Sequence, residues 1–192
     1  MSFPSEGQTT YNLSPAEASP GQIGDLEDYS IESFVASAVV NPGRAVQLSA
    51  DGKSCNQVSQ TSSSTTTPPN KVLGVAVLKT ARAPADAGFS YTGTPQQYQI
   101  GEMVPVMKRG KVFVEWSSTT AQPVGTNVGL NIYSSSTAST GTNNGKFTAN
   151  TASDTGGSEI LPVPGGMRLK PPARTTSGNI ALLEINLPGS SA

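Results

Sequence analysis

Asp25, Glu27, Asp28 and Glu32 form the only dense carboxylate cluster in the chain. Paired carboxylates hydrolyse glycosides when a rigid cleft holds them at a defined separation. These four lie on a stretch, GQIGDLEDYSIE, that precedes the first clear strand. With nothing to fix their spacing, they make a poor acid–base pair. The same stretch lacks the DxDxDG spacing that gathers oxygen ligands around calcium. Histidine is absent from the sequence, which removes the side chain that most often acts as general base or metal ligand near neutral pH. Serine and threonine are abundant, yet no GxSxG elbow or partnering base accompanies them. GQIG and the Pro164 to Gly166 turn do not follow the spacing of a phosphate loop. Cys55, the single cysteine, sits in the polar stretch DGKSCNQ; it cannot form an intramolecular disulfide and reads as an inert thiol. The residue inventory therefore predicts no catalytic residue, no metal site and no cofactor.

The charges point toward assembly instead. The first 32 residues carry six carboxylates and no Lys or Arg, leaving net +5 on the rest of a chain whose total is −1. Residues 1–32 read as an extended acidic arm, too poor in apolar groups to fold alone. Pro4, Pro15 and Pro20 fix φ and remove backbone donors, which disfavours a helix or an inner strand. Phe3, Tyr11 and Leu13 are isolated large apolar groups suited to docking into a neighbour's pockets; the alternative is a disordered tail. The scattered Lys and Arg make no basic stripe for nucleic acid. No basic n-region followed by an apolar stretch opens the chain, and no run approaches the roughly 20 apolar residues of a membrane span. The expectation is a soluble chain made in a cytoplasm, with neither nucleic acid nor membrane as partner.

Residues 33–192 read as a single β-rich domain. Charged residues make up only 13% of the sequence, and Gly, Pro, Ser and Thr are heavily used, a composition of short strands and many turns. Ser33 to Val40 is followed by an Asn41-Pro42-Gly43 turn signal and by Arg44 to Leu48, which alternates polar with apolar; the two strands read as a hairpin. Lys71 to Leu78 is the most apolar segment and is expected to be a central strand, with Gly74 marking a bulge or close backbone approach. Met103 to Met107 and Lys111 to Trp116 read as a second hairpin, turning at Lys108-Arg109-Gly110. That turn makes Lys108, Arg109 and Lys111 a basic tip, able to meet acidic groups or simply to stay solvated. Pro105 predicts an edge strand or a bulge. Ile180 to Leu187 reads as the last strand, and Ser/Thr-rich loops fall near 59–69 and 134–158. With no strongly amphipathic helix, the class is all-β: a small barrel or sandwich of short antiparallel strands with an extended N-terminal arm.

Several segments in order resemble the structural cement, or head decoration, proteins of tailed bacteriophages. They are Pro20-Gly21-Gln22-Ile23-Gly24-Asp25 leading into Tyr29 to Ala36, Asn41 to Val46, Val72 to Val77, Tyr98 to Val114, Pro123-Val124-Gly125, Gly145-Lys146-Phe147, Pro164 to Met167 and Asn179 to Leu187. Each piece alone is only a strand with its turn; their order carries the resemblance. It implies a non-enzymatic component of the virion that binds the outer surface of the capsid and bridges neighbouring major capsid protein subunits. It also implies a homo-oligomer, a trimer ahead of a dimer. The expected interface residues toward the capsid or an adjacent copy are Phe3, Tyr11, Leu13, Ile23, Asp25, Leu26, Glu27, Asp28 and Tyr29 of the arm, with Lys108, Arg109 and Lys111. Deleting residues 1–21 is expected to weaken capsid binding while leaving the body folded. The alternative is a virion-surface module that binds carbohydrate or a receptor through Tyr and Trp faces, although Trp116, at a strand end, is expected to be partly buried.

Overall fold

The computed structural model describes residues 19–24, 28–58, 72–78, 97–117, 128–134, 144–149, 158–162, 167–169 and 180–187. Ten strands lie among them: β1 (Ser30–Ala36), β2 (Ala45–Leu48), β3 (Ser54–Gln57), β4 (Val72–Ala76), β5 (Met103–Glu115), β6 (Val128–Ser134), β7 (Phe147–Ala149), β8 (Ser158–Pro162), β9 (Met167–Leu169) and β10 (Ile180–Asn186). No helix occurs among the described residues. The order β1-β3-β2-β4-β5 closes on itself through pairing of β1 with β5, giving a five-stranded barrel. Closure removes the exposed edges of an open sheet. Beyond the barrel, the second half of β5 continues as a sheet with β10 and β9, while β7-β6-β8 form a separate three-stranded sheet.

Alternation along β4 explains its unbroken apolar sequence. Leu73 and Ala76 face the barrel interior with Val46, Cys55, Val104 and Val106. Val75 and Val77 face a second core with Met107, Val112, Trp116, Leu130 and Phe147. A strand covered on both faces has no position left for a polar residue. The barrel wall thus separates two cores, and the second lies between it and the strands that follow. Gly74 is where β4 passes closest to β5. It adopts φ +155°, and a methyl group there would overlap the Met107 carbonyl oxygen. The register between β2 and β4 slips beside it, between Val46 and Gln47.

Two of the expected hairpins are not formed. Met103 to Glu115 is one continuous 13-residue strand, so Lys108-Arg109-Gly110 is not a turn and Lys108, Arg109 and Lys111 are not a tip. What looks like turn chemistry is a bulge: β1 pairs Ser30 with Arg109 but Ile31 with Met107, leaving Lys108 as the extra residue. Gly110 has φ +124°, and a Cβ there would lie 2.9 Å from the Tyr29 Cβ. The glycine is needed because β1 crosses close, and β10 holds the other edge of β5 through Arg109 to Glu115. Pro105 accordingly lies within an inner strand. Its carbonyl accepts from the Val77 N–H, 2.8 Å away, just past the end of β4, so the missing donor falls where the ladder stops. The Asn41-Pro42-Gly43 turn exists, but β1 and β2 do not pair; β1 runs parallel to β3 and antiparallel to β5. The true hairpin is β2 with β3. Asp51 closes it by accepting from the Lys53 and Ser54 N–H groups, both at 2.9 Å.

Candidate interaction surface

Residues 19–24, ahead of β1, are part of the folded body. Gly21 donates to the Phe113 carbonyl at 2.6 Å, Phe113 donates to Gln22 at 2.9 Å, and Gly24 donates to Lys111 at 2.8 Å. Leu78 donates in turn to Gly21, also at 2.8 Å, tying the same segment to the end of β4. Gly21 has φ +82°, and a Cβ there would press on Pro42 at 2.7 Å, a position that only glycine fills without strain. Ile23 bridges to Val112 and packs on the second core. Ile23 is therefore committed to its own chain.

Of the other sequence-derived candidates, Phe3, Tyr11, Leu13, Asp25, Leu26 and Glu27 lie outside the described residues. The antiparallel register of β1 on β5 brings the remaining acidic and basic candidates together within one chain. Asp28 pairs with Arg109, and Glu32 with Lys108 at 2.5 Å. Lys108 Nζ also lies 5.7 Å from the centre of the Phe34 ring. Asp28 and Arg109 are both exposed, so their attraction is screened by water and adds little stability. Lys111 pairs in register with Glu184 of β10. Tyr29 is half-exposed beside Gly110. Among the described residues no group of three His, Cys, Asp or Glu side chains is placed to hold a metal. Trp116 is fully buried, beyond the partial burial expected of it, and has no exposed face to stack on a sugar.

Two features were not singled out from the sequence. The first is a polar network at the join of barrel and second layer. Arg44 contacts Glu115 Oε2 through Nε at 2.9 Å and Nη2 at 2.8 Å, and Lys146 Nζ lies 3.6 Å from the same oxygen. The Asn144 carbonyl accepts from Arg44 Nη1 at 3.3 Å and from Gln57 Nε2 at 2.5 Å. Charges buried this far need such pairing. The network fixes the 144–146 turn against the barrel, so it is architectural.

The second is an apolar patch at one end of the barrel. Val35 and Met103 are cross-strand partners. Ala36 donates to Glu102, Gly101 donates back to Ala36, and Val40 exchanges hydrogen bonds with Tyr98. These bonds hold residues 35–40 against 98–103, and Val35, Val39, Ile100 and Met103 all stand in solvent, Ile100 at 70% exposure. Ser33, Ser37, Ala38, Gln99 and Gly101 around them are exposed and uncharged. The hint in the sequence is Val39-Val40: neighbours on a strand face opposite ways, and Val40 takes the core.

The profile of the family described as structural cement protein (E217 gp24/Pam3 gp6) matches residues 7–186. Among solved structures, a chain of the capsid of Myoviridae phage XM1 superposes with a TM-score of 0.63 at 18% identity, covering 97% of this chain and 98% of that one. At that identity the likeness establishes the fold. No curated protein matches. The resemblance carried by the ordered strands and turns of the sequence, the barrel they build and the span of the profile agree: the chain belongs to the structural cement protein family.

Proposed function

We propose that this chain binds the outer surface of a phage capsid and bridges neighbouring major capsid protein subunits, with no catalytic role. The family match over residues 7–186 carries this reading, and it supports a capsid-stabilising structural role in the virion and association with capsid proteins. Bridging follows from the physics of the task. A shell under internal pressure gains when many weak contacts are cross-linked repeatedly, because each link raises the effective concentration of the next. The N-terminal arm, through Phe3, Tyr11 and Leu13, lies across shell protein or an adjacent copy in this proposal. The copies associate as a closed ring, a trimer ahead of a dimer.

The test is cosedimentation of the purified protein with shells that lack it. The full chain is expected to saturate defined positions. A chain beginning at Ser19 is expected to bind about ten-fold more weakly or worse, yet to unfold at the same urea concentration, because the docking bonds begin at Gly21. A chain beginning at Asp25 loses those bonds and is expected to unfold earlier. Unchanged occupancy after removal of residues 1–18 would show that the arm is not a clamp. A density map of decorated shells is expected to show each copy touching two shell subunits; contact with one subunit alone overturns bridging.

A further inference from the structure

We infer that the patch of Val35, Val39, Ile100 and Met103 is the apolar anchor by which this chain seats on the shell, its occupant an uncharged apolar segment of the major capsid protein. The inference rests on the capsid-binding reading and names the surface that serves it. Four of the five large apolar side chains exposed among the described residues gather here. Tyr29, the fifth, sits at the other end of β1 beside Gly110.

The chemistry of the rim selects the partner. Among the described residues, the exposed sequence neighbours of the patch are Ser33, Ser37, Ala38, Gln99 and Gly101, and the exposed cation Lys53, next to the Val35 partner Ser54, interacts with Asp51. The nearby carboxylates are engaged locally: Glu102 Oε2 accepts from the Gln99 N–H at 2.6 Å, and Asp51 is tied up in its own turn. A charged segment brought here would lose its hydration without gaining a counter-charge. The basic side chains Lys108 and Arg109, toward the other end of β1, are already paired with Glu32 and Asp28, so the strongest attraction left at the patch is apolar.

Area decides between the shell and a second copy. Four side chains at these exposures present on the order of 300 Å², the size of the largest apolar patch on an ordinary monomer, which is often functional. A stable dimer buries roughly 800 Å² per partner, so the patch alone does not hold two copies together. A contact of this size suffices where the same protein is held at several points on a lattice, as the bridging proposed above would hold it. The barrel supports the patch rigidly, through the β1–β5 register and the Val40–Tyr98 bridge, so little conformational entropy is lost when it docks.

Ile100→Glu and Met103→Glu test this on the full-length chain, with Ile100→Ser as a milder variant and Asn186→Glu, exposed on β10, as a charge control. Occupancy on shells lacking the protein is read by cosedimentation, and folding by the urea midpoint. The expected result is about ten-fold weaker binding for each glutamate variant, a smaller loss for Ile100→Ser and wild-type binding for Asn186→Glu. All four are expected to keep the wild-type midpoint. Wild-type binding by Ile100→Glu and Met103→Glu overturns the patch while leaving the capsid reading intact. Equal loss in Asn186→Glu also overturns it, since the effect is then one of charge anywhere. Failure of the wild-type protein to bind shells removes the capsid reading, and this inference with it. A loss of dimer or trimer in solution that accompanies the glutamate variants assigns the patch to a second copy and overturns the shell as occupant.

Discussion

Gly74 and Cys55 line up on the barrel wall for opposite reasons, one because a side chain is forbidden and the other because one is needed. Gly74→Ala forces a methyl group onto the Met107 carbonyl at a φ that other residues avoid. The expected cost is about 3 kcal/mol or more, read as a lower urea midpoint; an unchanged midpoint would mean that β4 and β5 can separate without penalty. Cys55 fills the barrel interior at 0% exposure, and burial raises its thiol from 9.0 to about 11. The thiol stays protonated near neutral pH, so a disulfide reagent is expected to label it only after denaturation. Rapid labelling of the folded protein at about pH 8 contradicts that. The sign for stability follows: the neutral thiol favours the fold below its ordinary value of 9.0, and that contribution is lost as pH rises toward about 11. Gly74 was legible in the sequence as the small residue inside an apolar strand, whereas the burial of Cys55 was not, since Ser54 and Asn56 beside it are polar and the residues that cover it come from other strands. The destination of Val35, Val39, Ile100 and Met103 was not legible either, since exposed apolar residues follow the same alternation as buried ones.

β5 shows where local sequence stops being informative at the scale of an element. Lys108-Arg109-Gly110 between alternating strands matches a hairpin turn, yet the chain runs straight through because β1, β4 and β10 all pair with it. The glycine serves the crossing of Tyr29, and that crossing is a contact between residues about 80 apart in sequence. The parallel pairing of β1 with β3 is hidden for the same reason. By contrast, β4 could be placed as a central strand because burial on both faces leaves a continuous apolar run. The acidic and basic candidates were likewise visible as opposite charges, but only the antiparallel register of β1 on β5 pairs them within one chain. The join between barrel and second layer depends on Glu115, which neutralises Arg44 and faces Lys146. Glu115→Ala leaves a buried guanidinium unpaired and is expected to destabilise by about 3 kcal/mol in urea unfolding. The double variant Arg44→Met with Glu115→Leu is expected to lose less, since it removes both charges together. Asp28→Asn, at an exposed pair, is expected to change stability by less than about 0.5 kcal/mol.

For the whole molecule, the closed barrel, the second core and residues 19–24 docked on β5 form one hydrogen-bonded body. Such a body suits a part that is held in place more than one that turns over a substrate. Family membership makes stabilisation of a capsid the central claim. Because Asp28 and Glu32 are paired with Arg109 and Lys108 of β5, attachment is expected to change less than about three-fold between low and physiological salt. The most direct measurement is the temperature at which shells lacking the protein come apart, with and without saturating purified chain. The account predicts that added chain raises that temperature in proportion to occupancy. Full occupancy with no change in the disruption temperature would contradict it.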